Sequence, residues 1–123
     1  MMTITKPQAN RVDIHLDGGI DTEIMTAALE DLLSKSQDVD AGRMLYRITN
    51  MELPTLGAFA VELGYLPRLF KLLERFDKCA VVCDTGWIRA AAEVEGVLIP
   101  GLEIKAFDAK HEAEAAAWLD APA

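Results

Sequence analysis

The chain has 123 residues, 51% of them hydrophobic, and twelve Lys and Arg against twenty Asp and Glu leave a formal charge of -8. A disordered acidic tail is poor in aliphatic residues and a nucleic-acid binder carries a basic footprint, so this combination excludes both. The length suits one α/β-sized domain over residues 1–123, with core enough to fold without disulfides or metal.

Met1 to Gln8 holds only Met1, Met2 and Ile4 as apolar residues, which is not the hydrophobic stretch of a signal peptide. No apolar run approaches the roughly 18 residues of a membrane span. The expectation is a cytoplasmic protein with no membrane span.

Arg11 to Asp17 alternates strictly, with Val12, Ile14 and Leu16 on one face and Arg11, Asp13, His15 and Asp17 on the other. That is the pattern of a half-buried strand, and Thr3 to Lys6 is expected to pair with it through a turn at Pro7 to Asn10. Asp21 is placed to cap a helix in which Ile24, Met25, Ala28, Leu29, Leu32 and Leu33 recur at spacings of three and four. Asp21, Glu23, Glu30 and Asp31 form its outer face, and acids in a first turn suit the helix dipole.

Met44, Leu45, Tyr46 and Ile48 read as a central strand, Lys78 to Cys83 as an interior strand, and Glu103 to Phe107 as a third. Helical regions are expected at Thr55 to Phe76, Trp87 to Glu95 and Lys110 to Leu119. The alternation of strand and helix after the hairpin predicts an α/β domain with a mostly parallel sheet of βα units. Cys79 and Cys83 lie about 13 Å apart along one strand, too far for a disulfide, and are expected to be buried thiols.

Leu53 to Leu66 contains one charged residue, Glu62, and its apolar residues run nearly all the way round a helix. Gly57, Gly64 and Pro67 punctuate it. Pro67 is expected to end one helix and open a second that buries Leu69, Phe70, Leu72, Leu73 and Phe76. The segment admits three readings: packed core, the cover of an apolar ligand cavity, or a surface for a second copy or another protein. The residues expected in such a cavity or contact surface are Leu53, Leu56, Phe59, Leu63, Tyr65, Leu66, Phe70 and Trp87. Asn50, Glu52, Asp84 and Thr85, at predicted strand ends, form its polar rim.

The common catalytic templates do not close. His111-Glu112-Ala113-Glu114-Ala115 starts like a zinc-protease helix, but Ala115 replaces the second histidine. Asp108 reads as the cap of the last helix instead. Gly18-Gly19 before a helix offers backbone amides to an anion but lacks either nucleotide-binding spacing. Cys83 stands at the carboxyl end of its strand, where open parallel sheets place ligands, yet Asp84 beside it opposes a thiolate. The expectation is a domain that is not an enzyme and needs no cofactor or metal.

Cys79-Ala80-Val81-Val82-Cys83-Asp84 followed by Trp87, then Glu103-Ile104-Lys105-Ala106-Phe107-Asp108 and Glu112-Ala113-Glu114-Ala115-Ala116-Ala117-Trp118-Leu119, resemble the C-terminal half of the SpoIIAA-like family of STAS-type domains. The resemblance is specific over Lys78 to Leu119 and looser before it. It implies a βα fold shared with STAS and CRAL-TRIO lipid-binding domains, closed by the Ala-rich helix. It also implies a comparison with the phosphorylation switch of STAS antagonists, Asp-Ser-Ser-Gly or Asp-Thr-Ser-Gly. Here Pro54-Thr55-Leu56-Gly57 stands in its place, so the acceptor serine is Leu56 and no phosphate can be accepted there. Thr55 is expected to cap the following helix.

The leading functional expectation is a non-catalytic domain that binds a hydrophobic or lipid-like small molecule in an apolar cavity. The alternative is a protein-interaction module of anti-sigma-antagonist type, without the phosphorylation switch, that pairs with itself or with a protein of basic or apolar surface.

Overall fold

Strict alternation in Arg11 to Asp17 becomes β2 (Arg11–Asp17), paired antiparallel with β1 (Met2–Gln8) in a register that sets Ile4 against Ile14. The computed structural model describes residues 1–50, 55–83 and 101–121, with Phe59 described by its main chain alone. β1 is longer than expected and takes in Pro7 and Gln8, which shortens the turn to Ala9 and Asn10. Proline is tolerated because β1 is an edge strand and its pairing is irregular between Thr5 and Gln8, so no ladder hydrogen bond is lost.

Beyond the hairpin, β3 (Gly42–Thr49), β4 (Phe76–Cys83) and β5 (Glu103–Phe107) add in parallel, and the described strands lie in the order β1-β2-β3-β4-β5. Crossovers that all step in one direction put their helices on one face of the sheet. Accordingly α1 (Thr22–Lys35) and α2 (Leu56–Leu73) lie side by side over Val12, Ile14, Leu16, Met44, Ile48, Cys79 and Val81. The reverse face carries Leu45, Ala80 and Val82, and α3 (Glu112–Asp120) seals it with Ala115 and Leu119, both fully buried. Lys78, itself buried, donates to the carbonyls of Trp118 and Ala121 at 3.0 Å, and Arg43 Nε donates to that of Leu119 at 2.8 Å. Two cations thus hold the carbonyl end of α3, where the helix dipole favours them.

Asp21 and Thr55 cap the helices expected of them, whereas Asp108 caps a turn ahead of the last helix and not the helix itself. Asp21 accepts from Ile24 N at 2.9 Å, Thr55 from Ala58 N at 3.1 Å, and Asp108 from Lys110 N at 3.0 Å. The last caps a short 3-10 turn, Ala109–His111, that leads into α3. At the entry to β3, a Cβ on Gly42 would overlap Val39 and lie 2.9 Å from Phe76 Cδ1, so only glycine lets the strand begin there.

Two expectations for the apolar segment are corrected. α2 is one helix with Pro67 inside it, not two. The proline forfeits the hydrogen bond to the Leu63 carbonyl, but Leu63 and Pro67 are both exposed, so the loss falls on the solvent side of the helix. Phe76 and Phe70 are not on its buried side: Phe76 opens β4 in the core, and Phe70 points to solvent. The expected helix at Trp87 to Glu95 lies outside the described residues.

Candidate functional site

α2 is divided lengthwise. Its inner side carries buried Ala58 and Leu72 with half-buried Val61, Tyr65 and Leu69. The outer side presents Leu56 at 90% exposure, Leu63 at 48%, Leu66 at 36% and Phe70 at 55%. These residues are seven, three and four apart, which is one stripe on a helix and the spacing of a coiled-coil seam. Tyr65 is turned away from the stripe: its hydroxyl donates to Glu30 of α1, and the Arg68 guanidinium lies 4.3 Å from its ring centre. Gly57 marks the close approach of the two helices, since a Cβ there would overlap the Thr22 side chain, whereas Gly64 faces open space.

An open groove of about 350 Å3 runs between the C-terminal halves of α1 and α2. Leu33 and Leu72 give it apolar lining, and Arg68, Lys71 and Arg75 give it charge. None of the described residues assigned from sequence to a ligand cavity lines it. Sequence reading missed this groove, although the cluster of Arg68 and Lys71 near the end of α2 with Arg75 just past it was a signal available there.

At the carboxyl ends of β2 and β3 the polar side chains form a chain of contacts. Arg47 Nη1 lies 2.8 Å from Glu112 Oε1 on α3, and its Nη2 lies 3.4 Å from His15 Nδ1. His15 Nε2 is 2.9 Å from Thr49 Oγ1, which donates to Asp17 Oδ1 at 3.0 Å, and Asn50 Nδ2 donates to the same oxygen at 2.7 Å. These two hydrogen bonds, Asn50 first, hold the Asp17 carboxyl below its usual range. Asn50 therefore supports Asp17, in a left-handed conformation with φ 47° beside Gly18 at φ 74°. The other rim residues, Glu52, Asp84 and Thr85, lie outside the described residues, as do Leu53 and Trp87.

The catalytic fragments stay apart. Gly18 N donates to Thr49 O at 3.2 Å, so it is not available to an anion. His111 is exposed at the start of α3. Cys79 and Cys83 are buried and form no disulfide, and burial pushes the Cys79 thiol up to about 12. Among the described residues no three His, Cys, Asp or Glu side chains are grouped to hold a metal ion, and no helix is long and apolar enough to cross a membrane. Among the described strands the order never reverses, so they form no switch point of the kind that holds ligands in doubly wound folds.

A model of the SpoIIAA-like family matches residues 11–120. The chain belongs to the SpoIIAA-like family. Among solved structures, a similar one is an uncharacterised protein of the DUF3478 family, with a SpoIIAA-like fold, from Shewanella loihica PV-4. It aligns with a TM-score of 0.74 over 97% of this chain and 92% of that one, at 20% sequence identity, a likeness of fold. No curated protein matches the sequence. In this SpoIIAA-like domain the closing role of the Ala-rich helix is met by α3, and Thr55 serves as the cap of α2.

Proposed function

We propose that this SpoIIAA-like domain is a non-catalytic protein-interaction module whose contact surface is the outer stripe of α2. One observation carries the reading: Leu56, Leu63, Leu66 and Phe70 stand in solvent along one line of a helix whose opposite side packs into the core. The largest apolar patch on a soluble monomer, about 300–600 Å2, is often its functional contact.

The partner follows from area and charge. α2 has 18 residues, so it is about 27 Å long, and a stripe about 10 Å wide covers on the order of 300 Å2, well short of the roughly 800 Å2 per side of a stable interface. The contact is therefore a transient one. Two copies at -8 each repel, whereas a cationic partner is attracted. The occupant that fits is an amphipathic helix of another protein with a Lys- or Arg-rich rim.

A synthetic amphipathic helix with a leucine seam and a lysine rim tests this, against the same seam with a glutamate rim. Fluorescence anisotropy is expected to show binding of the lysine peptide alone, weakened by salt and lost in Leu63→Asp and Phe70→Asp. Binding indifferent to both substitutions overturns the reading. So does a concentration-dependent dimer in sedimentation that the same substitutions dissociate, which makes a second copy the occupant.

A further inference from the structure

We propose that the groove between the C-terminal halves of α1 and α2 binds a small amphipathic anion, with its carboxylate or phosphate head on Lys71 and Arg75 and its apolar body against Leu33 and Leu72. The groove is separate from the outer stripe of α2, and its volume of about 350 Å3 falls at the small end of ligand sites, which run from about 300 to 1,000 Å3.

Charge is the first argument. In a chain with a net -8, three of the twelve Lys and Arg line this groove. Lys6, Arg11, Lys35, Arg43 and Arg47 all have carboxylate partners within 4.0 Å. Among the described residues the side chains of Lys71 and Arg75 make no hydrogen bond or ion pair, and Arg75 acts on Asp38 only through the longer-range field. The groove's acid, Glu30, is already held by the Tyr65 hydroxyl and by Arg68 at 3.7 Å.

The carbonyl ends of α1 and α2 also favour cations, at about half a charge each. Three cations against Glu30 and two such ends leave roughly one positive charge, which suits a monoanion.

The second argument is a hydroxyl. Ser36 is 1% exposed, lines the groove, and its Oγ has no hydrogen-bond partner. A buried hydroxyl without a partner is costly, and an acceptor oxygen entering the groove would satisfy it. Head and body are then both provided for: a donor set of ammonium, guanidinium and hydroxyl beside two leucines.

The test is a 1H–15N NMR titration with octanoate, octyl phosphate, uncharged octanol and acetate. Saturable shifts are expected at Leu33, Ser36, Lys71, Leu72 and Arg75 with octanoate or octyl phosphate, and the tighter of the two identifies the head group. Octanol and acetate, each lacking one half of the ligand, are expected to bind at least tenfold more weakly. Lys71→Gln with Arg75→Gln, both exposed sites, should weaken binding by roughly tenfold or more while leaving the rest of the spectrum in place. Equal binding of octanol, an unchanged affinity in the double variant, or shifts mapping to the outer stripe instead would overturn the proposal. Octanoate binding that persists in Phe70→Asp keeps this site distinct from the protein contact.

Discussion

Arg47 on β3 reaches His15 on the neighbouring β2, with Nη2 3.4 Å from Nδ1 of the imidazole. A guanidinium only donates, so Nδ1 accepts and the neutral ring carries its proton on Nε2. That proton goes to Thr49 Oγ1 at 2.9 Å, and the threonine passes its own to Asp17 at 3.0 Å. The guanidinium, which cannot accept, orients the chain from one end, and the Asp17 carboxylate, which cannot donate, orients it from the other. Long-range 1H–15N spectra of the neutral imidazole should therefore show the Nε2–H tautomer, with a mixture appearing in Arg47→Met. Finding Nδ1–H in the native protein would refute the assignment.

Asp17 makes stability respond to acid. Its folded pKa lies below the ordinary value of 3.8, chiefly through the Asn50 amide. A depressed pKa contributes stability that is present above the unfolded value and is lost as pH falls through the folded one. Asn50→Gly keeps the left-handed backbone at φ 47° and removes only the amide. In a carboxyl 13C titration of that variant the Asp17 midpoint should rise, and the stability lost on acidification should shrink, because the window between the unfolded and folded values narrows from its acid side. An unmoved midpoint would assign the shift elsewhere.

Two leucine truncations separate core from contact surface. Leu119 is 0% exposed between Ala80 and Val82, so Leu119→Ala should cost roughly 2–5 kcal/mol. Leu56 is 90% exposed, so Leu56→Ala should stay within about 0.5 kcal/mol. Urea unfolding of both variants gives the comparison directly. Equal costs would mean that Leu56 is covered in solution.

The approach to β3 carries backbone strain of known sign. Ala41 sits at φ 50°, a left-handed conformation that costs an L-residue about 1–2 kcal/mol, while Gly42 beside it has no room for a Cβ. Ala41→Gly should therefore stabilise by about 0.5–1 kcal/mol, after the glycine's own entropy is subtracted. Gly42→Ala should destabilise, because Val39 and Phe76 lie in a packed core and cannot both move away. Thermal melts of the two variants should shift in opposite directions.

Most of the fold was legible because it rests on local patterns. The alternation of Val12, Ile14 and Leu16, the three-and-four spacing of Met25, Ala28, Leu29 and Leu32, and the capping residues Asp21 and Thr55 all occupy the expected places. α2 was less legible. A helix that is apolar on both sides gives no sign of which side faces in, so Phe70 was assigned inward and is exposed, and Phe76 was assigned to a helix and opens a strand. The polar chain from Glu112 to Asp17 was invisible for another reason. It depends on the β2–β3 register that sets His15 against Arg47, and no spacing within either strand reveals a partner 32 residues away.

The spatial order of the described strands is also their order along the chain. During synthesis each strand therefore meets its partner already made, and the sheet can grow outward from the first hairpin without waiting for a distant segment. The helix α3 follows every described strand along the chain and covers Leu45, Ala80 and Val82, so that face stays open to water, and to chaperones, until residues 112–120 have been made. A truncation that removes Trp118 and Leu119 would leave a nascent chain with its strands in place and one side of its sheet uncovered, a species prone to aggregation.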